Sequence, residues 1–223
     1  MRNRTPTFND DQHWWVRQWH GAMRRGQERD PKLPGELRQL GLGDRARLRR
    51  ARSRIELASD PATMALVAGL VKRAKDGRLR DEPENYERLG IVAGVLAYVE
   101  SDERTPEGRV AKAGGRAVPT FAANLAQSAR SDGPAMSELR FRQLRAATDP
   151  DDLLRLWRRA LHLAGRRADV ASLADDLYTW LIEIENGEAS PMNSARFQWA
   201  WDYYRQSRDE NHSEPTPTPE VKE

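Results

Sequence analysis

The side chains of this sequence best suited to chemistry are its guanidinium groups. From Gly43 to Arg54 the chain reads GDRARLRRARSR, with Arg45, Arg47, Arg49, Arg50, Arg52 and Arg54 set against the single acid Asp44. On a helix, Arg45, Arg49 and Arg52 align, as do Arg47, Arg50 and Arg54, because residues three and four apart share a face. Like charges stacked in this way cost about 0.2 to 0.5 kcal/mol per pair, so an uncompensated patch points to an anionic partner. A second group joins Arg140, Arg142 and Arg145 to Arg155, Arg158, Arg159, Arg166 and Arg167. A planar guanidinium can grip a phosphate with two parallel hydrogen bonds. Both groups therefore read as contacts for nucleic-acid backbone, made by Coulomb attraction and without reading base identity.

Composition agrees with binding rather than with a deep enzyme interior. Charged residues make up 32% of the 223 and apolar ones only 38%, so much of the surface carries solvated or partner-facing charge. Only five of the 37 basic residues are lysine. The formal charge of +3 includes a C-terminal stretch, 208–223, with five acids against Arg208 and Lys222; the remainder carries +6. A genome that codes arginine in place of lysine everywhere would give the same totals. The clustering of the arginines, not their number, carries the reading.

Other chemistry finds little support. The chain has no cysteine, which removes disulfides, thiolate metal sites and a cysteine nucleophile together. Its four histidines are His13, His20, His162 and His212. His13 and His20 share a helical face, but two turns separate them too widely for one ion. Asp149, Asp151 and Asp152 read as a helix cap with first-turn charges, and the adjacent Asp175 and Asp176 do not converge. Gly41-Leu42-Gly43 and Gly114-Gly115 lack the lysine and the strand of a phosphate loop, and Gly114-Gly115-Arg116 reads as a turn. No Ser-His-Asp arrangement is recognisable. The expectation is a non-enzyme without metal or cofactor. Trp15, Trp19, Trp157 and Trp180 lie on apolar stripes and read as core rather than as base-stacking platforms. Trp199 and Trp201 leave no clearly polar face.

The elements that must position these groups are helices. Helix-period patterning runs almost throughout and strand-like alternation is nearly absent, so the fold class is all-α, a helical bundle. Asp60-Pro61, Thr105-Pro106, Asp149-Pro150 and Ser190-Pro191 each pair a cap with proline at the first helical position and are expected to open a helix. Helices are predicted at about 10–25, 44–57, 121–128, 137–147, 150–164, 170–185 and 191–207. The 44–57 helix would bury Leu48, Ala51 and Ile55. Two more carry Met64, Leu66, Val67, Leu70 and Val71, and Leu89, Val92, Ala93, Leu96 and Val99. The stretch 101–119 mixes glycine, proline and charge as a connection does. The division expected is an N-terminal lobe at 10–130, a C-terminal lobe at 131–207 and a disordered acidic, proline-rich tail at 208–223. With no signal segment and no run of eighteen apolar residues, a soluble, cytoplasmic protein with no membrane partner is expected.

Six segments together resemble a known family. They are Trp14-Trp15; Gly43-Asp44-Arg45-Ala46-Arg47-Leu48-Arg49-Arg50-Ala51; Ser137-Glu138-Leu139-Arg140-Phe141-Arg142-Gln143-Leu144; the helix from Leu153 to Leu161 with Arg158-Arg159; Leu173-Ala174-Asp175-Asp176-Leu177 with Trp180; and Trp199-Ala200-Trp201-Asp202-Tyr203-Tyr204. In order and spacing over residues 10–205 they resemble the CasB family, the small subunit of type I-E CRISPR Cascade complexes. The resemblance implies an all-helical, non-catalytic subunit, present with a second copy of itself among the other Cascade subunits along a guide RNA. It would hold the target and displaced DNA strands and so stabilise the R-loop in antiviral defence. Carried over by motif, the backbone contacts are Arg45, Arg47, Arg49 and Arg50, with Arg140, Arg142, Arg158 and Arg159. The acidic tail and the 101–119 connection, with Arg109, Lys112 and Arg116, depart from the compact family pattern.

Two other readings stay open on the residues alone. A stand-alone helical DNA-binding regulator would place one recognition helix in a major groove and protect a defined operator. A helical adaptor would bind protein through the aromatic surface around Trp199 to Tyr204, with little sensitivity to salt.

Overall fold

The computed structural model describes residues 6–24, 33–75, 79–103, 120–130, 133–187 and 191–211. Helix α1 (Asp10–Ala22) opens with a reciprocal cap in which the Asn9 side chain accepts the Gln12 N–H and the Gln12 side chain accepts the Asn9 N–H. Its inner face presents Trp15, Val16, Trp19 and Ala22, all fully buried. They lie against α4 (Pro61–Lys72), which Asp60 caps as Asp60-Pro61 predicts. Trp15 Nε1 donates to the Leu66 carbonyl at 3.1 Å and Trp19 Nε1 to that of Ala62 at 2.7 Å, so both rings are buried with their polar atoms satisfied. Close approach here depends on Gly69: a Cβ at that position would stand 1.8 Å from Trp15 Cε2.

Helix α5 (Pro83–Leu96) is the centre of the protein. Leu89 through Leu96 are buried without interruption, as suits a helix surrounded on all sides. Around it pack α2 (Leu42–Arg50), α3 (Arg54–Ala58), α4, α8 (Pro150–Leu163, capped by Asp149) and α9 (Val170–Asn186). The buried apolar side chains form one contiguous cluster from Phe8 to Tyr203.

The expected single helix over 44–57 is in fact two. The chain leaves helical geometry at Ala51, then restarts under Ser53, whose hydroxyl accepts the Glu56 N–H at 3.3 Å while the Glu56 carboxylate accepts the Arg52 N–H at 3.0 Å. Ile55, expected in an apolar stripe, is consequently 79% exposed. Arg52 and Arg54 no longer continue the faces begun by Arg45 and Arg47.

That break leaves the carbonyl end of α2 beside the carbonyl end of α5. The last turn of any helix presents acceptors without internal donors, at the negative end of the helix dipole. Here arginines from other helices supply the donors. Arg158 of α8 donates through Nη2 to Leu48 O (2.9 Å), through Nη1 to Ala51 O (3.0 Å) and through Nε to Gly94 O (3.2 Å). Arg45 of α2 donates through Nε to Ala97 O (2.8 Å) and through Nη2 to Val99 O (2.9 Å). The Tyr98 hydroxyl donates to Arg49 O at 2.9 Å. His20 Nε2 lies 3.1 Å from Val99 O, so the proton of this buried ring sits on Nε2.

The remaining elements follow the sequence with local corrections. Helix α6 (Phe121–Ala126) leads into strand β2 (Ser128–Arg130), which pairs antiparallel with β3 (Gly133–Pro134). Strand β1 (Ser101–Asp102) runs parallel to β4 (Arg167–Ala168), where Asp102 also accepts the Val170 N–H. Helix α7 (Glu138–Ala146) buries Phe141 and Leu144. Pro191 opens only a 3-10 turn (Pro191–Asn193). The last helix, α10 (Ala195–Asn211), starts under Ser194, whose hydroxyl accepts the Phe197 N–H, and runs on past the expected end at Ser207. Met64 is 43% exposed, whereas Leu66, Val67 and Leu70 are buried as expected. Trp157, Trp180 and Trp199 meet edge to face at 5.6 and 5.1 Å, and Trp199 donates to Asp176 at 3.0 Å. Asp175 accepts the Phe8 N–H at 2.7 Å and fastens the segment before α1 to α9. The fold is all-α. Thr105-Pro106, most of the 101–119 connection including Arg109, Lys112 and Gly114-Gly115-Arg116, and the tail beyond Asn211 lie outside the described residues. Among the described residues, no helix is long and apolar enough to cross a membrane.

Two measurements check this packing. Gly69→Ala is expected to destabilise the protein by about 2 to 3 kcal/mol, because the added methyl meets a buried ring that has no room to move; a melting temperature equal to the parent's would mean Trp15 is not seated on α4. Burial pushes the His20 imidazole down to about 4 from 6.5. The unfolded chain takes up this proton first, so the contribution is complete above pH 6.5 and is lost as pH falls toward 4. Stability is expected to drop by about 2 kcal/mol between pH 7 and pH 5, and His20→Gln is expected to remove that slope. A parent that is equally stable at both pH values would contradict a buried neutral histidine.

Candidate nucleic-acid interface

The eight arginines singled out by sequence occupy three different situations. Arg45 and Arg158 are partly buried, with their donors directed at the backbone carbonyls already described. Burial holds both guanidinium groups below their ordinary pKa, with Arg49 adding like-charge repulsion on Arg45. These two serve the fold directly, because turning outward to a phosphate would strip donors from helix ends.

Arg47 and Arg142 are exposed but paired. Asp60 at 3.1 Å, together with Asp44, holds the Arg47 guanidinium above its ordinary pKa. Glu138, one turn before Arg142 on α7, does the same for that residue. Exposed pairs of this kind contribute little to stability, and a phosphate can displace the carboxylate.

The other four are available. Arg49 is half-buried and rests over the Tyr98 ring with Cζ 4.9 Å from its centroid. Arg50, Arg140 and Arg159 are exposed and have no hydrogen-bond or ion-pair partner among the described residues. Arg49 and Arg50 line a shallow cleft with Leu42, Arg45 and Ala46. Helix α8, which carries Arg159, contacts α7, which carries Arg140, and reaches α2 through Arg158. Stacking of Phe141 on Tyr203, at 4.0 Å and 8°, fixes α7 against α10 with Arg140 on the solvent side.

Compensation of the basic runs is greater than their local sequence shows. Arg54 lies 3.8 Å from Glu87 and 3.6 Å from Asp151, Arg155 pairs with Asp152, Arg166 with Glu100 and Arg167 with Glu103. Arg155, Arg166 and Arg167, counted in the second group by sequence, are therefore neutralised in place. Several of the acids come from distant segments, so no windowed count of charge could find them. Tyr98 was also missed: the centroid of its ring is 4.9 Å from Arg49 Cζ and 5.0 Å from Arg158 Cζ. Nothing in an apolar helix ending in tyrosine signals that role.

The acids and histidines do not assemble a second kind of site. Asp175 and Asp176 face different partners, and His13 lies 4.0 Å from Asp175 while His20 turns to Val99. Among the described residues, no group of three or more histidine or carboxylate side chains is placed to hold a metal ion.

The model of the family described as CRISPR-associated protein Cse2 matches residues 44–204. Comparison with curated proteins and with solved structures gave no match. The family match takes in most of α2, all of α3 through α9, most of α10 and all eight arginines, well over half of the chain. On that match, the helical chain with its outward-facing arginines belongs to the Cse2 (CasB) family, the small subunit of CRISPR Cascade.

Proposed function

We propose that this chain binds nucleic-acid backbones inside a type I-E Cascade complex, steadying the target and displaced DNA strands around the guide RNA and so stabilising the R-loop. One observation carries the reading: Arg50, Arg140 and Arg159 stand exposed and unpartnered among the described residues, on helices held in place by other arginines. Arg49 is next to Arg50 on α2, and Arg47 and Arg142 can exchange a weak carboxylate for a phosphate. Arg45 and Arg158 act through the fold. The work asked of the protein is small, since replacing a DNA duplex by a guide heteroduplex is nearly balanced in free energy and a few charge-assisted contacts can tip it. No catalytic group is needed. Base pairing with the guide reads the sequence, and the proposed partners are that RNA, both DNA strands, the other Cascade subunits and a second copy of this chain.

A second reading has one observation in its favour. Trp201 is 48% exposed on α10 and stacks on Phe197 at 6.4 Å, a surface suited to docking another protein. It is compatible with the first, because a subunit of a complex needs both kinds of surface.

The test is charge reversal of the unpartnered arginines. The combined variant Arg50→Glu, Arg140→Glu, Arg159→Glu, built into the assembled complex, is expected to weaken R-loop formation by at least about tenfold at physiological salt. Its salt dependence should be shallower than the parent's, its melting temperature unchanged, and the loss equal for unrelated targets with matched guides. Equal R-loop stability in parent and variant would remove these residues from the interface. A loss that varies with target sequence would instead support the operator-binding regulator.

A further inference from the structure

Arg158 joins three helices, two of which, α2 and α8, carry arginines of the basic surface. It belongs to α8, next to Arg159 in the chain, and its guanidinium ends on Leu48 O and Ala51 O of α2, which bracket Arg49 and Arg50. Its Nε ends on Gly94 O of α5. Room for it is provided by the absence of a side chain at Gly94, where a Cβ would stand 3.1 Å from Nη2 and 2.8 Å from Leu57. Both Arg158 and Arg49 approach the Tyr98 ring, whose hydroxyl donates to the carbonyl of Arg49 itself. A lysine could hold the charge here but could not reach three carbonyls with one planar fork.

We infer that Arg158 is a positioning residue that locks the arginines of α2 to those of α8, so that both groups engage one continuous strand as a single rigid surface. The inference rests on the backbone-binding reading above and assigns Arg158 a role without phosphate contact. Two linked contact groups held at fixed spacing bind a strand long enough to span them far more tightly than a strand that reaches only one, because the second contact forms at high effective concentration. Loosening the link lowers that gain and leaves each group's own affinity intact. Removing a true phosphate contact does the opposite: it lowers affinity for every strand and takes about one contact out of the salt dependence.

The experiment uses the full chain and oligothymidine strands of about 8 and about 30 nucleotides, chosen to reach one group or both, with affinity measured over a range of salt. Arg158→Gln and Arg158→Lys are both expected to cut the advantage of the long strand by about tenfold, while short-strand affinity and the salt slope stay at parent values. Hydrogen exchange of the Ala51 amide, which closes α2 by bonding to Arg47 O, should accelerate in both variants. Tyr98→Phe, which deletes only the hydroxyl on Arg49 O, should move the same readings in the same direction by a smaller amount and keeps the inference testable should the Arg158 variants fail to fold. A shallower salt slope on both strands, rescued by lysine and with Ala51 protection unchanged, would overturn the inference and make Arg158 a phosphate contact. If the parent bound neither strand, the backbone-binding reading would fall, and unchanged Ala51 protection in the variants would separately refute the lock.

Discussion

The carbonyl ends of α2 and α5 meet in a partly buried place where the backbone of neither helix can supply the missing donors. An acceptor left without a partner in such a place costs about 1 to 3 kcal/mol, and here several are gathered together at the negative ends of two dipoles. Cations with several donors answer both difficulties at once. Arg158 closes α2 from α8, Arg45 closes α5 from α2, and Tyr98 and His20 take acceptors that remain. The placement of α2, α5 and α8 follows from this exchange, and with it the direction in which the exposed arginines point.

Arginine consequently does two separate jobs. Inside, its planar fork reaches up to three carbonyls from one side chain; outside, the same fork suits a phosphate. The difference lies in what surrounds each residue. Arg158 and Arg159 are neighbours in sequence, yet one is partly buried and held by backbone oxygens while the other is exposed with no partner among the described residues. A patch of unpartnered cations is then supported from beneath by further cations, which strengthens the positive potential without adding contacts. The proposed function asks no more of such a surface than attraction to a nucleic-acid backbone, with sequence reading left to a guide.

How much of this could be read beforehand depends on the range of the interaction concerned. Asp60-Pro61 and Asp149-Pro150 opened their helices because a cap acts within one turn. The Ser53-to-Glu56 spacing that ends the 44–57 pattern was equally local, but the dense arginine run on both sides of it suggested one helix. Trp15, Trp19, Trp157 and Trp180 were legible as core from helical spacing. For Trp201 that spacing gave no answer, and its exposure emerges only once Trp199 has taken the face toward α9. Charge pattern singled out eight arginines as a set but could not separate those the fold engages from those it leaves exposed. The acceptors of Arg45 and Arg158 lie 52 to 110 residues away, and Arg47 owes half its pairing to Asp60. Charge pattern predicts that cations are present; only tertiary structure tells which of them are already engaged.

The division between engaged and available arginines can be observed directly from the Nε–H resonances of the nitrogen-15-labelled protein, with and without a single DNA strand. Slow solvent exchange is predicted for Arg45 and Arg158, whose Nε–H groups bond to Ala97 and Gly94, and their signals should stay in place when the strand is added. Arg50, Arg140 and Arg159 should exchange rapidly in the free protein, then shift and become protected in the complex. Signals of Arg45 and Arg158 that move with the strand, while those of Arg50, Arg140 and Arg159 do not, would contradict the account.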